Sequence, residues 1–226
     1  LKSYPDAFTD LTDMGINWDD FGKLKQSYSM VDDKHYGVPF DNGAVIACYR
    51  TDILKEAGYT IDDLTDITWS EFAKIGKDVH DKTGKYLLTS EGTGGDTMMM
   101  MIQSCGANFV NEKGDAYIVG NDIAEKCVDI YTELVQNDVV KLVNNWDEYV
   151  STITNGEAAG VVNGNWITAT IASTEDQKGQ WAITTMPSVD GVDSATHYAN
   201  NGGSSWYVTA NCQNKDLAED FLKSTF

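Results

Sequence analysis

The sequence has few of the residues and motifs that metal binding and nucleophilic catalysis require. Its histidines, His35, His80 and His197, are isolated, and no HExxH motif is present. No two of the four cysteines lie within four residues of each other, which excludes a CxxC pair and a zinc ribbon. A GxSxG nucleophile elbow and a Walker lysine are also missing. We therefore expect no metal and no cofactor, and nothing in the sequence indicates an enzyme.

Basic residues and long apolar runs are scarce as well. The chain has 16 basic residues against 35 acidic ones, a formal net charge of −19. Such a chain repels phosphate backbones and anionic lipids, which argues against a nucleic acid or a membrane surface as its partner. No apolar run approaches the ~18 residues of a membrane span, and no signal peptide is visible. Because the first residues read like the middle of a domain, we expect a fragment of a longer chain.

Strand patterns alternate with helix patterns along the chain. Pro39 cannot occupy a central ladder position, which predicts a strand end or a crossover between domains. Residues 44–49 form a continuous apolar run, which predicts a buried strand. Thr68 and Glu71 form a capping box, and the helix that follows has an apolar face. A second amphipathic helix starts at Asp122. This alternation predicts an α/β fold with mixed or mainly parallel sheets.

Residues 155–166, NGEAAGVVNGNW, carry the strongest indication of a ligand site. We predict a helix end, a short strand, a polar turn at Asn163-Gly164-Asn165, and a new helix starting at Trp166. In α/β proteins small ligands bind beyond the carboxyl ends of the strands. The indole of Trp166 beside two amides therefore predicts a stacking face with hydrogen-bonding neighbours.

Aromatic residues follow or precede polar turns elsewhere too. Tyr36 precedes Asp41 and Asn42, and Trp206 follows the polar stretch 200–205. A pyranose has an apolar C–H face that an indole can cover and a rim of hydroxyls that amides and carboxylates can bind. Core packing is the alternative for Trp166 and the more frequent role for Trp206. Packing is also what we expect of the remaining tryptophans, Trp18, Trp69, Trp146 and Trp181.

Four stretches together resemble a known family. They are YGVPFDNGAVIACYRTDILKEAGY, TWSEF, NGEAAGVVNGNW and GGSSWYVTANCQNKDLAEDFLKSTF. In this order they resemble the extracellular solute-binding proteins of ABC sugar importers, the maltose-binding-protein-like group. The resemblance implies a periplasmic-binding-protein-like type II α/β fold, with two lobes joined by crossover hinge strands, present here as a fragment. It implies a partial lobe one and first crossover at 1–42, lobe two at 43–195, and a return crossover with a lobe-one strand and helix at 196–226.

The resemblance also implies where the ligand binds. The candidate residues lie in the first crossover, in the loop before the methionine-rich helix, in the polar turn with its tryptophan, and in the return crossover. They are Asp41, Asn42, Asp96, Thr97, Asn163, Asn165, Trp166, Gly202, Gly203 and Ser204.

The function implied by the resemblance is capture without catalysis. The protein would bind a mono- or oligosaccharide between its lobes and deliver it to an ABC transporter permease. It would act as a monomer outside the cell, either as a membrane-anchored lipoprotein or in the periplasm. Two alternatives stay open: a carbohydrate-active enzyme that uses the same aromatics, and a binding protein for a non-sugar solute such as a polyamine.

Overall fold

The structure, a computed structural model, describes residues 1–111 and 113–226 and divides into two compact units. Unit 1 consists of Leu1–Asn42 and Gly202–Phe226, and unit 2 of Gly43–Asn201. The chain therefore passes from one unit to the other at two points. The assignment of lobe two to residues 43–195 stays a prediction, and residues 196–201 belong to unit 2.

Both units contain helices and strands. In the described residues the α-helices are α1 Lys23–Ser29, α2 Thr51–Ala57, α3 Trp69–Thr83, α4 Gly95–Ser104, α5 Asp122–Gln136, α6 Trp146–Thr154, α7 Thr168–Ala172 and α8 Lys215–Thr225. The strands are β1 Met30–Val31, β2 Lys34–His35, β3 Gly37–Pro39, β4 Val45–Arg50, β5 Leu88–Glu91, β6 Val140–Val143, β7 Gly160–Gly164, β8 Trp181–Thr184 and β9 Ser205–Tyr207.

Unit 2 contains a three-stranded sheet with β4 in the centre. Strand β4 corresponds to the predicted apolar strand, and both its partners, β7 and β8, run antiparallel to it. A separate pair, β5 and β6, is parallel. Strand pairing in unit 2 is therefore mixed, antiparallel in one sheet and parallel in the other, as one of the two predictions stated. The other prediction, mainly parallel sheets, is wrong for these strands. Val45, Ala47 and Tyr49 pack into one buried cluster, whereas Cys48 and Ile46, on the other face of β4, pack into a second one. Both faces of the strand are therefore covered, which explains its unbroken apolar run.

The main core of unit 2 lies between this sheet and helices α3, α4 and α5. The capping box predicted for α3 is present, with Thr68 accepting from the Glu71 main chain and Glu71 accepting in return. Trp69 and Phe72 of α3 are fully buried. Met100 and Met101 of α4 are buried in the same core, so at these two positions the methionine run packs apolar surface.

Unit 1 is built around the antiparallel pair β3–β9. Pro39 is the last residue of β3, which confirms the prediction that it marks a strand end. Val38 and Val208 pack with Leu11, Met14 and Leu222 in a small core. In the described part of the chain, no helix is long and apolar enough to cross a membrane.

Candidate functional site

Strand β7 continues through the segment that the sequence predicted to be a polar turn. Asn163 and Gly164 pair with Ile46 and Val45 of β4, so both residues belong to the strand. Only after them does the chain turn, into a short 3-10 helix at Asn165–Ile167. The predicted turn at Asn163-Gly164 is therefore wrong. The backbone bonding of β4 outweighs the local turn preference of Asn-Gly.

The amide of Asn163 is buried at the end of β7, with 3% of the residue exposed. Its Nδ2 donates to the hydroxyl of Tyr149 at 3.0 Å, and its Oδ1 accepts from the Gly164 main chain at 2.8 Å. Asn201 Nδ2 donates to the same Oδ1 at 2.8 Å and to Asp96 Oδ2 at 3.2 Å. One hydrogen-bonded network thus joins β7, α6, α4 and the last residue of unit 2.

Asp96 and Thr97 lie in the first turn of α4, which begins at Gly95. The sequence placed them in the loop before the helix, and this boundary was wrong. Gly94 caps the helix with a φ of 62°, a left-handed conformation that glycine adopts without strain. The hydroxyl of Thr97 lies 3.1 Å from that of Ser90, at the end of β5. The helix start therefore presents one carboxylate and one hydroxyl beside the end of a strand.

A hollow of about 80 Å³ brings these residues together. Its lining residues are Thr89, Ser90, Glu91, Thr93, Gly95, Asp96, Thr97, Met100, Trp146, Tyr149, Val162 and Asn163. None of them is basic, and two of them, Glu91 and Asp96, are acidic. We call this concavity the unit 2 hollow.

The aromatic surface of the unit 2 hollow comes from helix α6. Trp146 and Tyr149 stack with ring centroids 5.2 Å apart and an interplanar angle of 13°. Trp146 is 44% exposed, whereas Tyr149 is 5% exposed. The sequence predicted packing for Trp146, and its ring does pack on Tyr149; the structure also places Trp146 on the wall of the hollow, which the sequence did not predict. The i,i+3 spacing of the two aromatics at the start of a helix was the available signal, because such residues share a face.

Trp166 lies next to the unit 2 hollow but does not line it. The indole packs against a buried cluster that includes Val161 and Ile167, and it lies 5.7 Å from the Trp146 ring, centroid to centroid. Its Nε1 donates to the main-chain oxygen of Asn201 at 2.9 Å. Asn165, also predicted to bind ligand, is exposed and donates its main-chain N–H to Ala44. The role of Trp166 as a stacking face stays a prediction.

Burial shapes the chemistry of the tyrosine in the hollow. It raises the pKa of the Tyr149 hydroxyl well above its usual value, and the hydrogen bond from Asn163 offsets only part of this effect. Tyr149 therefore keeps its proton at neutral pH and can donate a hydrogen bond. No group of three or more His, Cys, Asp or Glu side chains among the described residues could hold a metal ion.

The remaining predicted residues lie in unit 1, next to the two points at which the chain passes between the units. Asp41 Oδ1 accepts a hydrogen bond from the Ser204 main chain, and Phe40 N–H donates to the Ser204 oxygen at 2.9 Å. Gly202 and Gly203 have φ angles of 89° and 95°, which favour glycine. Within unit 1, Asp41 and Asn42 line a hollow of about 140 Å³.

A larger hollow, of about 450 Å³, lies at the opposite end of the three-stranded sheet of unit 2. Arg50, at the end of β4, lines it together with Lys85 and Gln180. None of its lining residues is aromatic. We prefer the smaller unit 2 hollow as the candidate site because it combines aromatic and hydrogen-bonding side chains, as small-ligand sites do.

Comparison with known proteins decides the family. The family profile described as bacterial extracellular solute-binding protein matches residues 3–226. The chain belongs to this family. A lactose-binding protein from Rhizobium radiobacter is 37% identical over 226 residues, covering 100% of this chain and 53% of the relative. This extracellular solute-binding chain spans about half the length of the curated relatives it matches.

Solved structures show the fold of this family member. An ABC transporter associated binding protein from B. animalis subsp. lactis Bl-04, in complex with β-1,6-galactobiose, matches with a TM-score of 0.81 at 20% identity, covering 97% of this chain and 56% of that one. The galacto-N-biose-/lacto-N-biose I-binding protein of the ABC transporter from Bifidobacterium longum matches with a TM-score of 0.79 at 21% identity, covering 99% and 56%. The predicted type II periplasmic-binding-protein fold is thereby confirmed.

Proposed function

We propose that this chain is part of the substrate-binding subunit of an ABC importer, which binds a mono- or oligosaccharide and delivers it to a membrane permease. One observation carries the proposal: a single hollow of unit 2 groups the stacked aromatics Trp146 and Tyr149 with Asp96, Thr97 and Asn163. The C–H face of a pyranose fits an exposed indole, and its hydroxyls fit carboxylate, hydroxyl and amide groups. Membership of the solute-binding family supports the same function.

A galactoside is the first candidate ligand. The 37% identity with a protein named for lactose binding favours it over other sugars. The unit 2 hollow, at about 80 Å³, is smaller than the roughly 300–1,000 Å³ of a pocket that encloses a whole small molecule. We therefore propose that the unit 2 hollow binds only one part of the ligand. The ligand contacts predicted for Asp41, Asn42 and the loop at 202–204 remain part of the proposal.

A polyamine is the second candidate. It is favoured by the carboxylates of Glu91 and Asp96, which line the hollow without a basic neighbour among its lining residues. An ammonium group could pair with them and lie over the indole of Trp146. The aromatic pair beside several neutral hydrogen-bonding groups leads us to place a sugar first.

The proposal includes capture without catalysis, because the family and the named relatives are binding proteins. The location we propose is extracellular, as a membrane-anchored lipoprotein or a periplasmic protein, in keeping with the extracellular description of the family. We further propose that the protein acts as a monomer until it meets the permease.

A thermal-shift screen of the full-length protein tests the function. The panel is lactose, galactose, maltose, an arabinooligosaccharide, putrescine and spermidine. A ligand present at 100 times its Kd should raise the Tm by about 3–5 °C, because it binds the native state alone. A shift with a sugar supports the first candidate, and a shift with a polyamine alone supports the second. No shift with any compound contradicts both.

A further inference from the structure

The orientation of the Asn163 amide is fixed by a main-chain group. The Gly164 N–H lies 2.8 Å from one terminal atom of this side chain, and a main-chain N–H can only donate. That atom is therefore the amide oxygen. Asn201 Nδ2 donates to the same oxygen at 2.8 Å, so both its lone pairs are used. The amide nitrogen must then face the Tyr149 hydroxyl, which it does at 3.0 Å.

This orientation decides how the Tyr149 hydroxyl is used. Because Asn163 donates to it, the Tyr149 oxygen is an acceptor in that bond, and its own proton is not consumed there. Among the described residues no acceptor is recorded for this proton. Tyr149 is 5% exposed and lines the unit 2 hollow. A buried O–H donor therefore remains available at the wall of the hollow.

Asp96 presents the complementary group in the same hollow. Its Oδ2 accepts from Asn201 Nδ2 at 3.2 Å, while no ion pair with a basic side chain is recorded for it in the part of the chain that the structure describes. An ionised carboxylate has about four lone-pair positions, so Asp96 can still accept from a ligand hydroxyl. Asn201 is 6% exposed, and its Nδ2 donates both to Asp96 and to the amide oxygen of Asn163. One nitrogen atom thus holds the acceptor Asp96 and the amide that contacts the Tyr149 hydroxyl.

On the basis of the proposed sugar-binding function, we propose that Tyr149 is a specificity-determining donor and that Asn201 is a positioning residue, which holds the side chains of Asp96 and Asn163 in place beside it. The Tyr149 O–H donates to an oxygen of the bound sugar, and Asp96 accepts from one of its hydroxyls. The hollow thus selects a sugar that offers an acceptor oxygen beside a donor hydroxyl. Hydrogen-bonded chains polarise one another, so the Asn201–Asn163–Tyr149 relay strengthens the final bond.

The variant Tyr149→Phe tests the donor directly. It keeps the ring that stacks on Trp146 and removes only the hydroxyl. We expect the Kd for lactose, measured by calorimetry on the full-length protein, to rise about tenfold. The matched control is Tyr59→Phe, which removes a 2.9 Å hydrogen bond to Asp78 away from the hollow and should leave the Kd unchanged.

The variant Asn201→Asp tests the positioning role through its pH dependence. The introduced carboxylate would face Asn163 Oδ1 and Asp96, both acceptors, so lactose should bind at least about tenfold more weakly at neutral pH. Towards about pH 5 the new carboxyl gains a proton, can donate again, and should bring the Kd back towards that of the wild type measured at the same pH. A merely structural role predicts that the Tm of the variant falls and recovers together with its affinity, so thermal melts at each pH separate the two roles.

The outcomes separate this proposal from the function on which it rests. If the wild type binds lactose or another sugar of the panel and Tyr149→Phe binds it within about twofold, the donor role is overturned and the sugar-binding function stands. A pH-independent loss in Asn201→Asp overturns the positioning role. If the wild type binds no sugar, the proposed function and the donor role fall together.

Discussion

Trp166 and Asn201 are joined by a 2.9 Å hydrogen bond from the indole Nε1 to the main-chain oxygen, although they lie 35 residues apart. Gly164 makes their approach possible. A Cβ at this position would collide with both the indole and the Asn201 oxygen. The glycine in the sequence NGNW thus serves close packing of strand β7 against the end of unit 2.

Gly164→Ala should destabilise the protein by about 1–3 kcal/mol, because the methyl group has no room beside Trp166 and Asn201. Urea denaturation, read as the transition midpoint, measures the loss. The control is Gly22→Ala, where an added Cβ meets nothing within 4 Å and φ is −58°. A Gly164→Ala midpoint equal to that of Gly22→Ala would contradict the packing described for β7.

Replacing Trp166 separates its hydrogen bond from its aromatic face. Trp166→Phe keeps a ring but loses the donor to Asn201, so we expect a stability loss of about 1 kcal/mol and a nearly unchanged lactose affinity. Trp166→Ala also removes the face and should weaken lactose binding by about 1–3 kcal/mol if the ring stacks on the sugar. Equal calorimetric affinities for wild type and Trp166→Ala would rule out the stacking role.

Trp146→Ala tests the aromatic wall of the unit 2 hollow. Because Trp146 is 44% exposed, its loss should change the Tm little, while the lactose affinity falls by about 1–2 kcal/mol. Calorimetry and a thermal melt give the two values. Tyr198→Ala, which also removes an exposed aromatic ring but lies outside the hollow, serves as the control. Similar affinities in both variants would remove Trp146 from the site.

The capping box of α3 predicts a specific acid dependence. Hydrogen bonds from the main chain and hydroxyl of Thr68 lower the pKa of Glu71 below its ordinary value of 4.5. A lowered folded-state pKa means that the contribution to stability is present above about pH 4.5 and is lost as the pH falls through the folded-state value. Glu71→Gln keeps an acceptor but cannot titrate.

We therefore expect the Tm difference between wild type and Glu71→Gln to be largest near neutral pH and to shrink to zero in acid. Thermal melts across that range give the difference directly. Glu56→Gln, in the exposed face of α2, controls for the loss of one negative charge. A difference between wild type and Glu71→Gln that stays constant with pH would show that the capping carboxylate does not act as described.

Local patterns predicted those parts of the fold that depend on neighbours in sequence. The capping box at Thr68 and Glu71 and the strand end at Pro39 need only a few adjacent residues, and both were predicted correctly. The polar turn at Asn163-Gly164 was wrong because its strand conformation depends on pairing with Ile46 and Val45, more than a hundred residues earlier. Such pairing leaves no local signal.

The candidate site shows the same limit. Asp96, Thr97 and Asn163 were predicted, and the structure brings them to one hollow. Asn201 was missed because its importance comes from hydrogen bonds to Asp96 of α4 and Asn163 of β7 rather than from a motif. Trp146 was missed although its i,i+3 spacing to Tyr149 was a local signal. Trp166 was predicted to bind ligand because of its polar neighbours in sequence, whereas in the structure it packs behind the hollow.

Calorimetric titration of lactose into the full-length protein and its Asp96→Ala variant tests the central claim most directly, because Asp96 is the carboxylate that the unit 2 hollow offers to a sugar hydroxyl. We predict saturable binding to the wild type and a loss of affinity of at least about tenfold in Asp96→Ala. Equal affinity in the two proteins, with binding intact, would contradict the assignment of the unit 2 hollow as the sugar site.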